Sequence, residues 1–105
     1  MQQSDVLILG GGPAGSSCAR RLVQAGLEVT LLDKQAFPRD KVCAGWVTPE
    51  VAASLGLDLG AYAEGRTLQP IQGFRTGLMH GQLLETRFER PVSYGIRRCE
   101  FDHYL

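Results

Sequence analysis

The sequence lacks the features that mark several large classes of protein. Its 105 residues include 11 basic and 11 acidic side chains, so the formal net charge is zero. This balance removes any electrostatic case for nucleic acid or an anionic membrane as the main partner. No apolar run approaches the roughly 20 residues that a membrane-spanning helix needs. The apolar stretch near the N-terminus, Val6 to Leu9, is also too short for a signal peptide, and Asp5 stands where positive charge is expected.

Cysteine is scarce, odd in number and widely spaced. Cys18, Cys43 and Cys99 form no CxxC pair, which argues against a zinc site and against a disulfide framework. Reduced thiols are the better interpretation, and they predict a cytoplasmic protein. No metal site is predicted, because neither His80 nor His103 has a ligand-type partner four residues further on.

The first third of the chain has the pattern of a β-α-β unit. Val6 to Leu9 is a continuous apolar run, as expected of a parallel strand buried on both faces. Leu27 to Leu32 is a second such run and is followed by Asp33. Between them Gly26 is a natural helix stop, and the preceding apolar residues recur at helical spacing. The predicted apolar face of this helix consists of Ala14, Cys18, Leu22 and Ala25.

The remainder is irregular and shows weaker signals. Residues 34–47 have no period and contain Pro38 and Gly45, which predicts a long loop. Thr48-Pro49-Glu50 predicts a helix start with a hydroxyl cap, and Gly56 ends that helix. The other predicted elements are a short helix near 61–64, strands at 71–76, 82–88 and 92–96 arranged as a meander or hairpin, and a final helix over 99–105.

These elements together predict an α/β fold with a Rossmann-like β-α-β unit, extra short helices and a few antiparallel strands. We expect one partial domain over residues 1–105. Within it, 1–35 form the dinucleotide-binding core, 36–70 a cofactor-facing loop with helices, and 71–105 the start of a strand-rich substrate part. A doubly wound sheet usually has at least three parallel strands, whereas only two are found here, so the chain looks like the opening section of a larger protein. The unpaired sheet edge that this leaves predicts self-association.

The glycines between the first strand and the first helix satisfy the G-x-G-x-x-G pattern. Gly10 allows the tight turn, Gly12 exposes backbone to a pyrophosphate, and Gly15 lets the helix approach the strands closely. The helix N-terminus offers N–H groups and partial positive charge to phosphates. Asp33, 23 residues after Gly10, stands where a carboxylate can accept hydrogen bonds from ribose hydroxyls. The alternative is a glycine-rich turn in an ordinary β-α-β unit, and it leaves the three glycines and Asp33 unexplained.

Three stretches resemble a known family. DVLILGGGPAGSSCARRLVQAGLEVTLLDK resembles the N-terminal FAD fingerprint of flavoprotein oxidoreductases. FPRDKVCAG, residues 37–45, is similar to the P-R-x-K-x-C-G-G loop of the geranylgeranyl reductase family, whose relatives include aromatic hydroxylases and flavin-dependent halogenases. Residues 94–105 resemble the segment in which those proteins begin a helix with an arginine near the flavin. The resemblance covers most of the chain and implies a flavin-dependent oxidoreductase, either a reductase of isoprenoid-like substrates or an enzyme of the monooxygenase type.

The resemblance also implies which residues would hold FAD. The pyrophosphate would lie on the fingerprint, while Asp33 and Lys34 would face the adenosine ribose. The loop from Lys41 onward would run toward the isoalloxazine, and Arg98 would contact the flavin side. The full set of implied cofactor residues is Gly10, Gly12, Pro13, Ala14, Gly15, Asp33, Lys34, Lys41, Cys43, Ala44, Gly45 and Arg98.

The chain departs from the family pattern in one place and lacks part of it. Ala44 stands where the reductases tend to have glycine, which weakens the reductase assignment more than the FAD assignment. The family's second FAD motif and most of its substrate domain have no counterpart before Leu105. No catalytic residue is therefore assigned, and little catalysis is expected from this chain alone. A full-length protein would use NAD(P)H as a possible electron donor, and the substrate is unknown.

Two other functions remain open at this point. The chain is compatible with a non-catalytic nucleotide-binding fragment that pairs with another chain. It is also compatible with an NAD-type Rossmann domain, because the G-x-G-x-x-G pattern serves both dinucleotides.

Overall fold

The computed structural model describes residues 3–105, and these divide into two compact units. The first unit contains the described residues up to Val42 together with Arg98–Leu105, and the second contains Cys43–Arg97. Among residues 3–105, no helix has the length and apolar character required to cross a bilayer.

The first unit is built on the predicted β-α-β arrangement. Strand β1 (Val6–Leu9) pairs in parallel with strand β2 (Val29–Leu32), and helix α1 (Pro13–Gln24) connects them. The register places Val6 opposite Val29 and Leu9 opposite Leu32. Strand β2 begins two residues later than predicted, because the Leu27 N–H donates to the Leu22 carbonyl and so belongs to the end of the helix. Gly26 follows α1 with φ +87°, as its predicted role as a helix stop requires.

The face that α1 turns toward the strands differs from the predicted one. Its half-buried positions Gly15, Ala19 and Leu22 recur at helical spacing. A Cβ on Gly15 would overlap the Gly10 carbonyl oxygen and approach Ile8 Cγ2 to 3.3 Å, so close backbone contact fixes the rotation of α1. Three of the four residues predicted for the apolar face are exposed as a result: Ala14, Cys18 and Ala25.

A loop and a short helix complete the first unit. The loop after β2 contains a cis peptide bond between Phe37 and Pro38. Helix α4 (Arg98–Tyr104) begins one residue before the predicted start and buries Phe101 and Asp102. A buried carboxylate requires partners, and Asp102 has two, the guanidinium groups of Arg39 and Arg98.

The second unit consists of two small antiparallel sheets and two short helices. One sheet has the order β3 (Trp46–Val47), β7 (Ser93–Ile96), β4 (Leu68–Ile71), with β7 in the centre. The other is a hairpin of β5 (Gly73–Gly77) and β6 (Leu83–Arg87). The helices are α2 (Pro49–Ser54) and α3 (Leu59–Ala63). Ala52, Tyr62 and Ile96 are its buried hydrophobic residues.

Some predictions for this unit were wrong in detail. The single strand predicted over 71–76 is two strands that break at Gln72, and most of β4 was missed. Strand β4 contains Pro70, which normally argues against a strand, but β4 is an edge strand, where a missing N–H is tolerated. Thr48 does precede α2 as predicted, yet its hydroxyl does not cap the backbone. It bonds to the Glu50 carboxylate instead and thereby lowers the pKa of Glu50.

Candidate functional site

The fingerprint forms a sharp corner between β1 and α1. Gly10 has φ +107°, a conformation that L side chains rarely adopt, and its N–H donates to the Leu32 carbonyl at 2.7 Å. A Cβ on Gly10 would meet no atom within 4 Å. The backbone angle, rather than crowding, is therefore the reason for glycine at this position.

The corner leaves the N-terminus of α1 open. Gly12 is the N-cap residue, Pro13 follows at the first helical position, and no side chain caps the helix. The N–H groups of Ala14 and Gly15 consequently have no partner within the helix. Ser16 and Ser17 instead direct their hydroxyls back to the carbonyls of the preceding turn. A helix end of this kind attracts anions through its N–H groups and its dipole.

Asp33 links the end of β2 to the fingerprint. Its Oδ2 accepts the Gly11 N–H at 2.8 Å, and its Oδ1 accepts the Gln35 N–H at 2.9 Å. These two hydrogen bonds, of which the one from Gly11 has the larger effect, hold the pKa of Asp33 below the usual aspartate range. The carboxylate therefore stays ionised and ties the glycine corner to β2. Each oxygen has a further lone pair with which it can accept a bond from a ligand.

Two arginines lie over Gly12. The Nη2 atoms of Arg98 and Arg39 are 3.8 and 3.9 Å from the point that a Cβ on Gly12 would occupy. Both guanidinium groups bind Asp102, with 2.6 Å from Arg39 Nη1 to Oδ2 and 2.5 Å from Arg98 Nε to Oδ1. The guanidinium of Arg39 also stacks on the Phe37 ring, 4.7 Å from its centroid. The region around Gly12 is therefore lined by two oriented cations.

These residues line one open groove of about 840 Å³, which is within the range of small-molecule and cofactor sites. Four cationic side chains and two carboxylates border it, an excess of two positive charges: Lys34, Arg39, Lys41 and Arg98 against Asp33 and Asp40. Its other lining residues are Leu9, Gly10, Gly12, Leu32, Gln35 and Val42. Pro13, Ala14 and Gly15 adjoin it as the first turn of α1. The structure thus brings nine of the predicted site residues together in the first unit.

The other three predicted site residues belong to the second unit. Cys43 and Ala44 are exposed, and the Cys43 sulfur accepts the Gly45 N–H at 3.3 Å. Gly45 has φ +70°, and a Cβ there would lie 2.5 Å from the Ile96 carbonyl oxygen. The turn into β3 therefore requires glycine at this position irrespective of any ligand.

Three charged residues of this site were not predicted from the sequence: Arg39 and Asp40, which border the groove, and Asp102, which binds both arginines. The spacing of Arg98 and Asp102, four residues apart in a helix, is the pattern of a side-chain ion pair and was a usable signal. Arg39 and Asp102 are 63 residues apart, so that no local pattern reveals their contact. Among residues 3–105, no group of three or more His, Cys, Asp or Glu side chains is placed to hold a metal ion.

The groove fits the pyrophosphate of a dinucleotide. Protein packing does not explain the missing side chain at Gly12, because a Cβ there would make only ordinary contacts with the two arginines. Because Gly12 has no Cβ, a ligand can approach its backbone between the N-terminus of α1 and the guanidinium groups of Arg39 and Arg98. Guanidinium forks pair with phosphate oxygens in a bidentate geometry.

Comparison with known proteins agrees with this geometry. An uncharacterized protein of Methanosarcina barkeri is 30% identical over the whole chain, which spans 26% of that relative. The menaquinone reductase of Mycolicibacterium smegmatis is 43% identical over 53 residues, half of this chain and 13% of that enzyme. The crystal structure of a geranylgeranyl bacteriochlorophyll reductase-like protein from Thermoplasma acidophilum has the same fold, with a TM-score of 0.81 at 23% identity over 96% of this chain and 26% of that one.

The chain therefore spans about a quarter of the length of the M. barkeri relative. The family model for FAD dependent oxidoreductases matches residues 5–97, nearly the whole sequence. The predicted α/β fold and the predicted cofactor, FAD, are both confirmed. The chain belongs to the FAD dependent oxidoreductase family.

Proposed function

We propose that this chain is the FAD-binding part of a flavin-dependent reductase that acts on an isoprenoid-bearing substrate such as a quinone. The observation that carries the proposal is the half-buried Gly12 backbone, which has no side chain and lies at the α1 N-terminus near the guanidinium groups of Arg39 and Arg98. The substrate class is proposed from the identity to a menaquinone reductase over half of the chain.

In this proposal the chain binds and orients the cofactor. The two arginines and the first turn of α1 hold the pyrophosphate, and Asp33 with Lys34 faces the adenosine ribose. Lys41 and the following residues Cys43, Ala44 and Gly45 run toward the isoalloxazine. Bound FAD supplies the redox chemistry, and NAD(P)H is the proposed electron donor. We also propose a cytoplasmic location, from the reduced thiols that the cysteine spacing predicts.

The binding part of the proposal is tested with the purified 105-residue chain. FAD, NAD⁺ and ADP are titrated in turn, with flavin fluorescence, the melting temperature and calorimetry as readouts. We expect saturable binding of FAD, competition by ADP, and much weaker binding of NAD⁺. A folded chain that does not bind FAD contradicts the proposal. A tight stoichiometric complex with NAD⁺ would favour an NAD-type domain.

The reductase part needs a separate experiment. The 53-residue matched segment of the M. smegmatis menaquinone reductase is replaced by the corresponding residues of this chain. The hybrid enzyme is then assayed for menaquinone reduction, with a hybrid carrying Gly12→Ala as the matched control. Activity in the first hybrid and its loss in the control are expected. An inactive first hybrid that still binds FAD would contradict the proposed substrate class while leaving the cofactor assignment intact.

A further inference from the structure

The two arginines of the groove share one buried anion. The Asp102 side chain is fully inaccessible to solvent, and the side chains of Arg39 and Arg98 are only 11% and 21% exposed. Each carboxylate oxygen of Asp102 accepts from a different guanidinium group. Asp102 is not among the residues that line the groove, so we expect no direct contact between it and a ligand bound there.

We propose that Asp102 is a positioning residue which holds Arg39 and Arg98 together for the pyrophosphate of a dinucleotide. The proposal rests on the proposed binding of FAD in the groove. It adds that diphosphate selectivity depends on a residue that lines no part of the groove. The class of ligand that Asp102 selects is a nucleoside diphosphate rather than a nucleoside.

Electrostatics is the first reason for this role. Two guanidinium groups within about 4 Å of the same point repel each other strongly when they are shielded from water. A carboxylate between them reverses the sign of the local interaction and leaves a net charge of +1 for the three groups. Without that carboxylate the two half-buried cations lose the anion that they share, and we expect them to separate because their mutual repulsion is no longer offset.

Geometry is the second reason. Asp102 engages Nη1 of Arg39 and Nε of Arg98, while the Nη2 atoms of both residues are the side-chain atoms nearest to Gly12. The carboxylate therefore holds one nitrogen of each guanidinium group. In this position the Nη2 nitrogen of each arginine lies close to the Gly12 backbone. The Phe37 ring supports Arg39 from one face. The orientation of the Arg98 side chain is held by Asp102, which lies four residues later in the same helix.

The test compares Asp102→Asn with Glu89→Gln in the full chain. Both variants replace a carboxylate by its amide, but Glu89 is exposed and lies in the connection between β6 and β7 of the second unit. The dissociation constants of ADP and adenosine are measured by calorimetry for each protein. Their ratio is the readout, because a partly unfolded sample lowers both affinities by the same factor.

We expect Asp102→Asn to weaken ADP and FAD binding about tenfold or more, with adenosine binding unchanged. Glu89→Gln should leave the ratio as in the wild type. A simple gain of positive charge would instead strengthen ADP binding, which distinguishes positioning from net charge. An unchanged or increased preference for ADP in Asp102→Asn overturns the proposal.

A double-mutant cycle separates positioning from a purely structural role. If Asp102 acts through the arginines, Asp102→Asn should have little further effect on the ratio in a chain that already carries Arg39→Gln and Arg98→Gln. Additive losses overturn the proposal. A wild-type chain that binds neither FAD nor ADP overturns the proposed function itself, whereas normal wild-type binding with an unaffected Asp102→Asn variant overturns only the role of Asp102.

Discussion

Two glycines of the fingerprint, three residues apart, are required for different physical reasons. At Gly15 a Cβ would overlap the Gly10 carbonyl oxygen, so the protein itself excludes a side chain. At Gly12 a Cβ would make contacts no closer than 3.8 Å, so the protein tolerates one. The pattern G-x-G-x-x-G therefore combines a packing requirement with a binding requirement.

This difference predicts opposite outcomes for two alanine variants. Gly15→Ala should lower the free energy of unfolding by about 2 kcal/mol, because α1 has to move away from the strands. Gly12→Ala should leave the melting temperature within about 5 °C of the wild type but weaken FAD binding at least about tenfold, because the added methyl group occupies the pyrophosphate position. Thermal denaturation and FAD titration on both variants check this. A stable Gly12→Ala chain with wild-type affinity would contradict it.

Gly45 shows how a motif position can have a structural explanation of its own. It was predicted as a cofactor residue from its place in the FPRDKVCAG stretch. Its φ of +70° and its contact with the Ile96 carbonyl oxygen already require glycine at the turn into β3. Its role toward FAD stays a prediction, and alanine at this position would affect folding before it affects binding.

At the scale of elements, the short helix α3 depends on the residue that caps its N-terminus. Helix α3 has only five residues, too few to be stable alone, and Asp58 is its N-cap. The Asp58 Oδ1 accepts the Ala61 N–H at 3.1 Å. The helix carries Tyr62, a fully buried side chain of the second unit. One capping hydrogen bond thus supports the placement of a core aromatic residue.

Removing this cap should destabilise the second unit measurably. We expect Asp58→Ala to lower the free energy of unfolding by about 1 kcal/mol, because an orphan N–H of the first turn loses its acceptor. Asp58→Asn is the matched control, since asparagine caps helices as well as aspartate does. Urea denaturation followed by circular dichroism measures both. An equal loss in the two variants would show that the charge, rather than the cap, is responsible.

At the scale of the whole molecule, the parallel sheet of the first unit is covered on one face only. Ile8 points toward α1, whereas Leu7, Leu9 and Leu32 on the opposite face are 58%, 77% and 51% exposed. Parallel strands are normally buried on both faces. The two-stranded sheet also leaves unpaired backbone along its edges, which favours pairing with another chain.

We therefore predict that the chain associates with copies of itself through this sheet. Leu7→Lys should shift the sedimentation profile toward the monomer, because it places a charge in the apolar face at a residue that does not line the groove. Leu78→Lys is the control, since Leu78 is also exposed, at 81%, but lies outside the strands. A wild-type chain that remains monomeric at high concentration in analytical ultracentrifugation would contradict the prediction.

The amino-acid sequence alone determines the β-α-β unit, the glycine corner and the position of Asp33. All of these depend on periodicity and spacing within some thirty residues, where local rules hold. The short helices near 49 and 61 were predictable for the same reason. The strands at Trp46 and Leu68 were not, because one has only two residues and the other contains Pro70 at a sheet edge.

Only the tertiary structure decides which residues complete the groove. Arg39 and Arg98 come from segments nearly sixty residues apart, and they meet through Asp102, whose partner Arg39 is 63 residues away. Likewise, the face that α1 presents to the strands is set by the contact of Gly15 with the Gly10 carbonyl rather than by its apolar stripe. Long-range contacts between charges and the close approach of two backbones leave no periodic trace in a sequence. For that reason the glycine corner could be predicted, whereas the paired arginines above it could not.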